Sequence, residues 1–203
     1  MKPVLQRGSA CALRKRGFVM AYLIYSLNMT LNGHCHHEDA VVDQEHHEYA
    51  LELLHGSEAL ILGRHTYDLF AAFWPEAATR KDLPKFMQYL AMELQSIPKR
   101  VVTTRPLEFP WQNTEALKGP DIENTRQFLS EISGNVVLFG SPALAASLAD
   151  ASLINEYQFL LEPFVSTSGK QAFDGAKVWQ RLMLLDAKRL NRDVMLLRYA
   201  SGP

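Results

Sequence analysis

Ala59-Leu60-Ile61-Leu62-Gly63-Arg64-His65-Thr66-Tyr67 passes within nine residues from an unbroken apolar run to a glycine, an arginine and a threonine. Four apolar residues are too few for a helix, so Ala59 to Leu62 reads as a buried strand. Gly63 then turns the chain into a short helix through Thr66 to Phe70, which Trp74-Pro75 is expected to end. A helix start presents unpaired N–H groups and the positive end of a dipole, and both favour an anion. Arg64 can grip a phosphate with two donors, and Thr66 can add a hydroxyl. The same residues also suit a plain structural turn, with Thr66 as a cap and Arg64 in solvent. Taken alone, the segment is compatible with either.

Outward from this segment, short apolar runs alternate with amphipathic ones, which is the rhythm of an α/β domain. Phe18 to Ser26 reads as the first strand, and Asn28 to Val42 as a polar loop. Asp43 can cap a helix in which Tyr49, Ala50, Leu53 and Leu54 recur until Gly56. Beyond the central segment, Pro84 to Gln95 reads as helix, Arg100 to Thr104 as strand, and Asp121 to Ser133 as a capped helix with Gly134 behind it. Asn135 to Phe139 is a further strand. Pro142 to Ala151 is a helix with its proline in the first turn, and Ile154 to Leu161 a strand. Trp179 to Leu190 and Val194 to Tyr199 flank Asn191-Arg192-Asp193, a hairpin signal. Parallel units closed by an antiparallel pair imply a mixed, mostly parallel sheet with helices on both faces.

Three strand ends carry the chemistry: Gly63-Arg64-His65-Thr66, Thr103-Thr104-Arg105 and Gly140-Ser141. Glycine, hydroxyl and arginine at successive strand ends are what a nucleotide cleft in an open α/β sheet needs, because ligands bind outside the carboxyl ends of the strands. Neither G-x-G-x-x-G after the first strand nor G-x-x-x-x-G-K-[ST] occurs, so an ordinary dinucleotide fold and a P-loop are both unsupported.

Composition narrows the remaining classes. At 203 residues, with 47% hydrophobic and 21% charged residues, the chain is an ordinary globular protein; a chain this long can bury about 70% of its unfolded surface. Its 21 basic and 22 acidic side chains leave a net charge of −1, so no bulk field points to nucleic acid or to an anionic membrane. Cys11 and Cys35 are the two cysteines, both near the N-terminus, and one bridge there would staple little of the chain. A cytoplasmic location is expected. Residues 1–19 are basic, with no acid before Glu38, and read as a disordered extension preceding a domain at 20–200. Arg14-Lys15-Arg16 followed by the apolar run Gly17 to Leu27 imitates a secretory signal. No small-residue cleavage site follows, and a buried first strand is the alternative.

Taken in order, these blocks resemble the dihydrofolate-reductase-like family, and specifically the reductase domain of bacterial riboflavin biosynthesis with its stand-alone relatives. The similarity runs from about Ala21 to Tyr199. It rests on Ser26-Leu27, on Leu62-Gly63-Arg64-x-Thr66-Tyr67 with Phe73-Trp74-Pro75, on Pro98-Lys99 before Val101, on Trp111-x-Asn113-Thr114, on Phe139-Gly140-Ser141-x-x-Leu144, and on Leu153 to Tyr157. The resemblance implies a three-layer dihydrofolate-reductase-like α/β fold, a homodimer, and an NADPH-dependent reductase of a small conjugated or heterocyclic substrate. It places Gly63, Arg64, His65 and Thr66 at NADPH phosphates, Thr103, Thr104 and Arg105 around the adenosine ribose, and Gly140, Ser141 and Leu144 along the pyrophosphate. One departure stands out. The family's usual Ser-Leu-Asp-Gly is Ser26-Leu27-Asn28-Met29 here, and an amide cannot deliver a proton as a carboxylic acid can. Asn28 and Glu48 are therefore the catalytic candidates, and a silent nucleotide-binding dimer of the same fold is the alternative.

His34-Cys35-His36-His37-Glu38-Asp39 and Glu45-His46-His47-Glu48 invite a metal reading. Contiguous ligands rarely close a tetrahedron, and His47-Glu48 lacks the second histidine of H-E-x-x-H. The expectation is a solvated loop beside the substrate cleft, with His46 and His47 projecting from different sides of a helix start and no metal.

Overall fold

The apolar runs pair into one sheet. In a computed structural model describing residues 20–118 and 122–202, they form β1 (Tyr22–Thr30), β3 (Ala59–Gly63), β4 (Lys99–Thr103), β6 (Asn135–Phe139) and β7 (Glu156–Glu162). β2 (His34–Cys35) and β8 (Lys170–Gln171) make a separate two-stranded ribbon, and β5 (Thr114–Lys118), β9 (Leu182–Arg189) and β10 (Met195–Ser201) complete the set. The sheet order is β5-β4-β3-β6-β1-β7-β10-β9, parallel throughout except that β10 runs antiparallel to both neighbours. The helices are α1 (Gln44–His55), α2 (Arg64–Ala71), α3 (Trp74–Ala77), α4 (Lys85–Ser96), α5 (Ile122–Ser130) and α6 (Pro142–Asp150).

Strand residues alternate between two cores. Leu23, Tyr25, Ile61 and Leu138 face α5 and α6, whereas Leu60, Leu62, Val101 and Val137 face α1, α2 and α4. Burial on both faces is why these strands read as continuous apolar runs. The expected three layers and mixed sheet are present. Asp43 caps α1, its carboxylate accepting from the His46 N–H at 3.0 Å, and Gly56 ends it. Lys99 is fully buried, with Nζ donating to the carbonyls of Leu94 and Ile97 at 2.6 and 2.9 Å. It thereby satisfies the carbonyl end of α4, where a cation is favoured, and burial lowers its ammonium to about 8.

Several boundaries differ from the sequence reading. β1 continues through Asn28 to Thr30, because β7 is long enough to pair with it as far as Thr30↔Glu162. Trp74-Pro75 opens α3, since a proline in the first helical turn forfeits no internal hydrogen bond. β5 was not expected: it is an edge strand, Thr-Glu-Ala-Leu-Lys, with little buried side chain and thus no periodic signal. The extension 1–19 and the proposed cap Asp121 lie outside the described residues. Among the described residues no helix is long and apolar enough to cross a membrane.

Two features generate stability predictions. At the end of β7, Glu162 is fully buried, its Oε2 accepting from the Val41 N–H at 2.9 Å, while Oε1 has no partner among the described residues. Burial, reinforced by the Asp43 charge, raises its carboxyl to about 7. A raised carboxyl favours the folded state below the unfolded value and loses that contribution as pH rises through about 7. Wild type is expected to lose roughly 2 to 3 kcal/mol of unfolding free energy between pH 5 and pH 8. Denaturant titration of Glu162→Gln should show most of that slope removed. At Gly63, a methyl group would overlap the Ser141 side chain. Gly63→Ala should therefore cost about 1 to 3 kcal/mol, and adding Ser141→Gly should restore most of it, as thermal melts will show.

Candidate functional site

β3 and β6 lie side by side with Leu62 opposite Phe139, yet the chain leaves them in opposite directions. After Gly63 it turns into α2 on one face, and after Gly140-Ser141 into α6 on the other. Such a divergence opens a crevice beyond the strand ends. Neither helix start has a side-chain cap, so both first turns direct unclaimed N–H groups toward the crevice rim. Gly140 and Ser141 both have a φ of 57°, and the Gly140 N–H donates to the Ser26 carbonyl at 3.0 Å. This left-handed turn brings the two helix starts together. It leaves a cradle shaped for a phosphate group.

The crevice opens into a cleft of about 320 Å³. Its floor comes from Ser26, Leu27 and Asn28 of β1 and Phe139 of β6. One wall is formed by His65, Thr66, Leu69 and Phe70 of α2 with Trp74, and the facing wall by Cys35, His36, His37, Ala40 and Val42 and the first turns of α1. Leu90 and Leu94 close the apolar end. Among the described residues no lysine, arginine, aspartate or glutamate lines it.

The residues singled out from sequence divide into two groups. His65, Thr66, Gly140, Ser141 and Asn28 line the cleft, and Gly63 backs directly on Ser141. The others stand elsewhere. Arg64 gives its guanidinium to Asp68 (2.8 Å), to Glu108 (3.3 Å) and to the Pro106 carbonyl (2.6 Å). It ties α2 to the loop after β4. Thr103 is buried and its hydroxyl accepts from the Arg105 N–H at 3.1 Å, while Thr104 and Arg105 are exposed on that neighbouring loop. Leu144 packs against the core under α6. Glu48 is exposed, accepting from Gln44 at 2.7 Å, and does not line the cleft.

Sequence reasoning missed a buried polar chain. Tyr49 donates to Gln158 Oε1 at 2.7 Å, and Gln158 Nε2 donates to Glu156 Oε1, also at 2.7 Å. Glu156 is anchored by Arg198 Nε at 2.7 Å and the Tyr22 hydroxyl at 3.2 Å. Because Tyr49 spends its proton on Gln158, the 2.9 Å contact between Ser26 Oγ and Tyr49 requires Ser26 to donate. Ser26 thus offers the cleft lone pairs only. Burial pushes the Tyr49 phenol up, which keeps that direction of donation fixed. Tyr49 reads in sequence as one more apolar helix position, so its polar role had no local signal.

Five of the seven histidines, His36, His37, His46, His47 and His65, line this cleft. His46 and His47 do not point apart as expected: their rings are 6.2 Å apart, and His47 is buried against Trp74 and Phe86. Burial, and secondarily His47, lowers His46 to about 4, so it is neutral near pH 7. Burial also raises the Cys35 thiol to about 12, which leaves it protonated. Among the described residues no group of three or more histidine, cysteine or acidic side chains is arranged to hold a metal.

The fold has solved relatives. A protein assigned to riboflavin biosynthesis from Shewanella sp. PV-4 superposes with a TM-score of 0.66 at 16% identity, covering 90% of this chain and 99% of the other. The diaminohydroxyphosphoribosylaminopyrimidine deaminase/5-amino-6-(5-phosphoribosylamino)uracil reductase of Thermotoga maritima gives 0.62 at 13% identity, over 90% of this chain but 57% of its own length. Dihydrofolate reductase from Enterococcus faecalis, complexed with NADP(H), gives 0.53 at 15% identity over 90% and 97%. No curated protein matches the chain in sequence. The profile of one family, the RibD C-terminal domain, matches residues 19–196, and the chain belongs to that family.

Proposed function

We propose that the protein is an NADPH-dependent reductase of a small conjugated or heterocyclic substrate. The observation that carries this reading is the pair of uncapped helix starts meeting at Gly63 and Ser141 beside an apolar cleft. The donor set fits a dinucleotide: first-turn N–H groups of α2 and α6 suit a pyrophosphate, with Thr66 adding a hydroxyl. When bound, the reduced nicotinamide supplies a hydride to an electron-poor carbon. The chain's own part is to hold and orient. Asn28 and Ser26 offer hydrogen bonds from the floor, and Phe70, Trp74 and Phe139 exclude water around the ring. No carboxylate lines the cleft among the described residues, so the proton that completes reduction comes through an imidazole or through water.

That same lack of an acid favours a second reading, a nucleotide-binding module without turnover. Calorimetric titration tests the nucleotide site common to both: NADPH is expected to bind about ten- to a hundredfold tighter than NADH, since each charged contact to the extra phosphate contributes roughly 1.5 to 3 kcal/mol. With Arg64 engaged by two carboxylates, exposed Arg105 supplies that contact, and Arg105→Ala should erase most of the preference. Binding of neither nucleotide at millimolar concentration would refute both readings. Turnover gained only in Asn28→Asp would favour the silent module.

The expected homodimer also has a surface to form on. β9 is the sheet edge, and Met183, Leu184 and Leu185 on it are 47, 59 and 50% exposed, with Trp179, three residues before it, 85% exposed. Light scattering should give a dimer mass, shifted to monomer by Leu184→Lys; a wild-type monomer at micromolar concentration would exclude it.

A further inference from the structure

The solved relatives include a reductase of a phosphoribosylated uracil, and a phosphorylated substrate needs a cation or a fixed donor cluster at its phosphate. No such cation lines this cleft among the described residues. Beyond the helix starts, Leu69, Phe70, Trp74, Leu90, Leu94 and Phe139 form its apolar part beside Ser26, Asn28 and the histidines, and no lysine, arginine, aspartate or glutamate lines it among the described residues. Of the nearby charges, Arg64 is ion-paired with Asp68 and Glu108, Glu48 is held by Gln44, and Lys99 is buried against the carbonyls of α4, while Asp39, between the lining residues His37 and Ala40, has a buried Oδ2 without a partner among the described residues and so adds no cation to meet an anion. An anion in the apolar part would be desolvated without compensation, at a cost that far exceeds what its ring could recover.

His46 is one of the polar groups of the facing wall, with His36, His37 and His47. Its Nδ1 is buried without a partner, while Nε2 is not buried and has none among the described residues. A neutral imidazole carries one proton. An unpaired buried acceptor is the more easily tolerated state for Nδ1, which leaves the proton on Nε2, the nitrogen that is not buried on a residue that lines the cleft. Burial, and then His47, keeps the ring uncharged near neutral pH. The cleft therefore offers a neutral donor at His46, an acceptor at Ser26 and the amide of Asn28, set in an aromatic and aliphatic enclosure.

We infer that the substrate is an uncharged, flat, largely apolar ring system bearing a hydrogen-bond acceptor for His46, and not a phosphorylated or carboxylated one. This rests on the reductase reading for the words "substrate" and "reduction", but the ligand class follows from the cleft alone. A matched pair of bicyclic probes tests it: 2-methylquinoline, neutral at pH 7.5, and quinoline-2-carboxylate, of nearly the same shape and anionic. Calorimetry on the whole chain, with and without NADPH, should show the neutral ring binding at least tenfold tighter than the carboxylate. His46→Phe should weaken the neutral ring severalfold, as loss of one hydrogen bond does. Leu69→Arg, at a position already 36% exposed and so tolerant of a long side chain, should narrow or invert the preference. Equal or tighter binding of the carboxylate to wild type overturns the inference, and so does absence of binding by either ring at millimolar concentration. Failure of the reductase reading looks different: NADPH does not bind while the neutral ring still does.

Discussion

Everything at the site depends on the close passage of two backbones, Gly63 at the end of β3 and Ser141 at the end of β6. Parallel neighbours whose chains depart to opposite faces must leave a crevice beyond their ends, and here it is kept narrow by a residue without a side chain facing one in a left-handed conformation. The left-handed Gly140-Ser141 turn has a second effect. It swings α6 beneath the sheet while its first N–H groups stay at the crevice rim beside those of α2. The anchoring of Gly140 to the Ser26 carbonyl makes β1 a third party to the same junction.

From that junction the cleft inherits its polarity. At one end lie helix starts with unclaimed donors; at the other lie side chains from α2, α3 and α4 whose remaining faces belong to the second core. Between them run Ser26 and Tyr49, the near end of a hydrogen-bonded chain that reaches Glu156 and Arg198 beneath α1. Donation along that chain runs one way because its far end is an acceptor-only carboxylate held by a guanidinium, and so the polarity of Ser26 inside the cleft is set by a residue paired across the sheet. The acid-free lining and the neutral His46 belong to the same low-dielectric environment. An anion placed there would find no cationic partner among the described lining residues.

The strand-turn-helix at Ala59 to Tyr67, the cap at Asp43, the helix at Pro142 and the terminal hairpin were legible in the chain, because each is fixed by neighbours in sequence: apolar period, a capping carboxylate, a proline at a first turn, a turn pair. Order added more than any single block, and the family could be recognised from it. The edge strand β5 left no trace, since a short strand with little more than Leu117 turned to the core has no hydrophobic alternation to show. The extent of β1 past Asn28 was equally hidden, because the partner that extends it is β7, more than a hundred residues away.

What the sequence by itself determined was the class of fold, the family, and the strand ends at which a ligand meets the sheet, because backbone geometry and burial periodicity are local properties. Which side chains face that ligand was decided only in three dimensions. Arg64 looks like a phosphate clamp until Asp68 and Glu108 claim it, Leu144 like a cofactor contact until α6 turns it into the core, and His36, His37, His46 and His47 like parts of a solvated loop and helix start until the fold sets them, with His65, around one cleft. The physical reason is the same in each case. A side chain's chemistry depends on which partners desolvate or neutralise it, and those partners come from segments distant in sequence that only packing brings together.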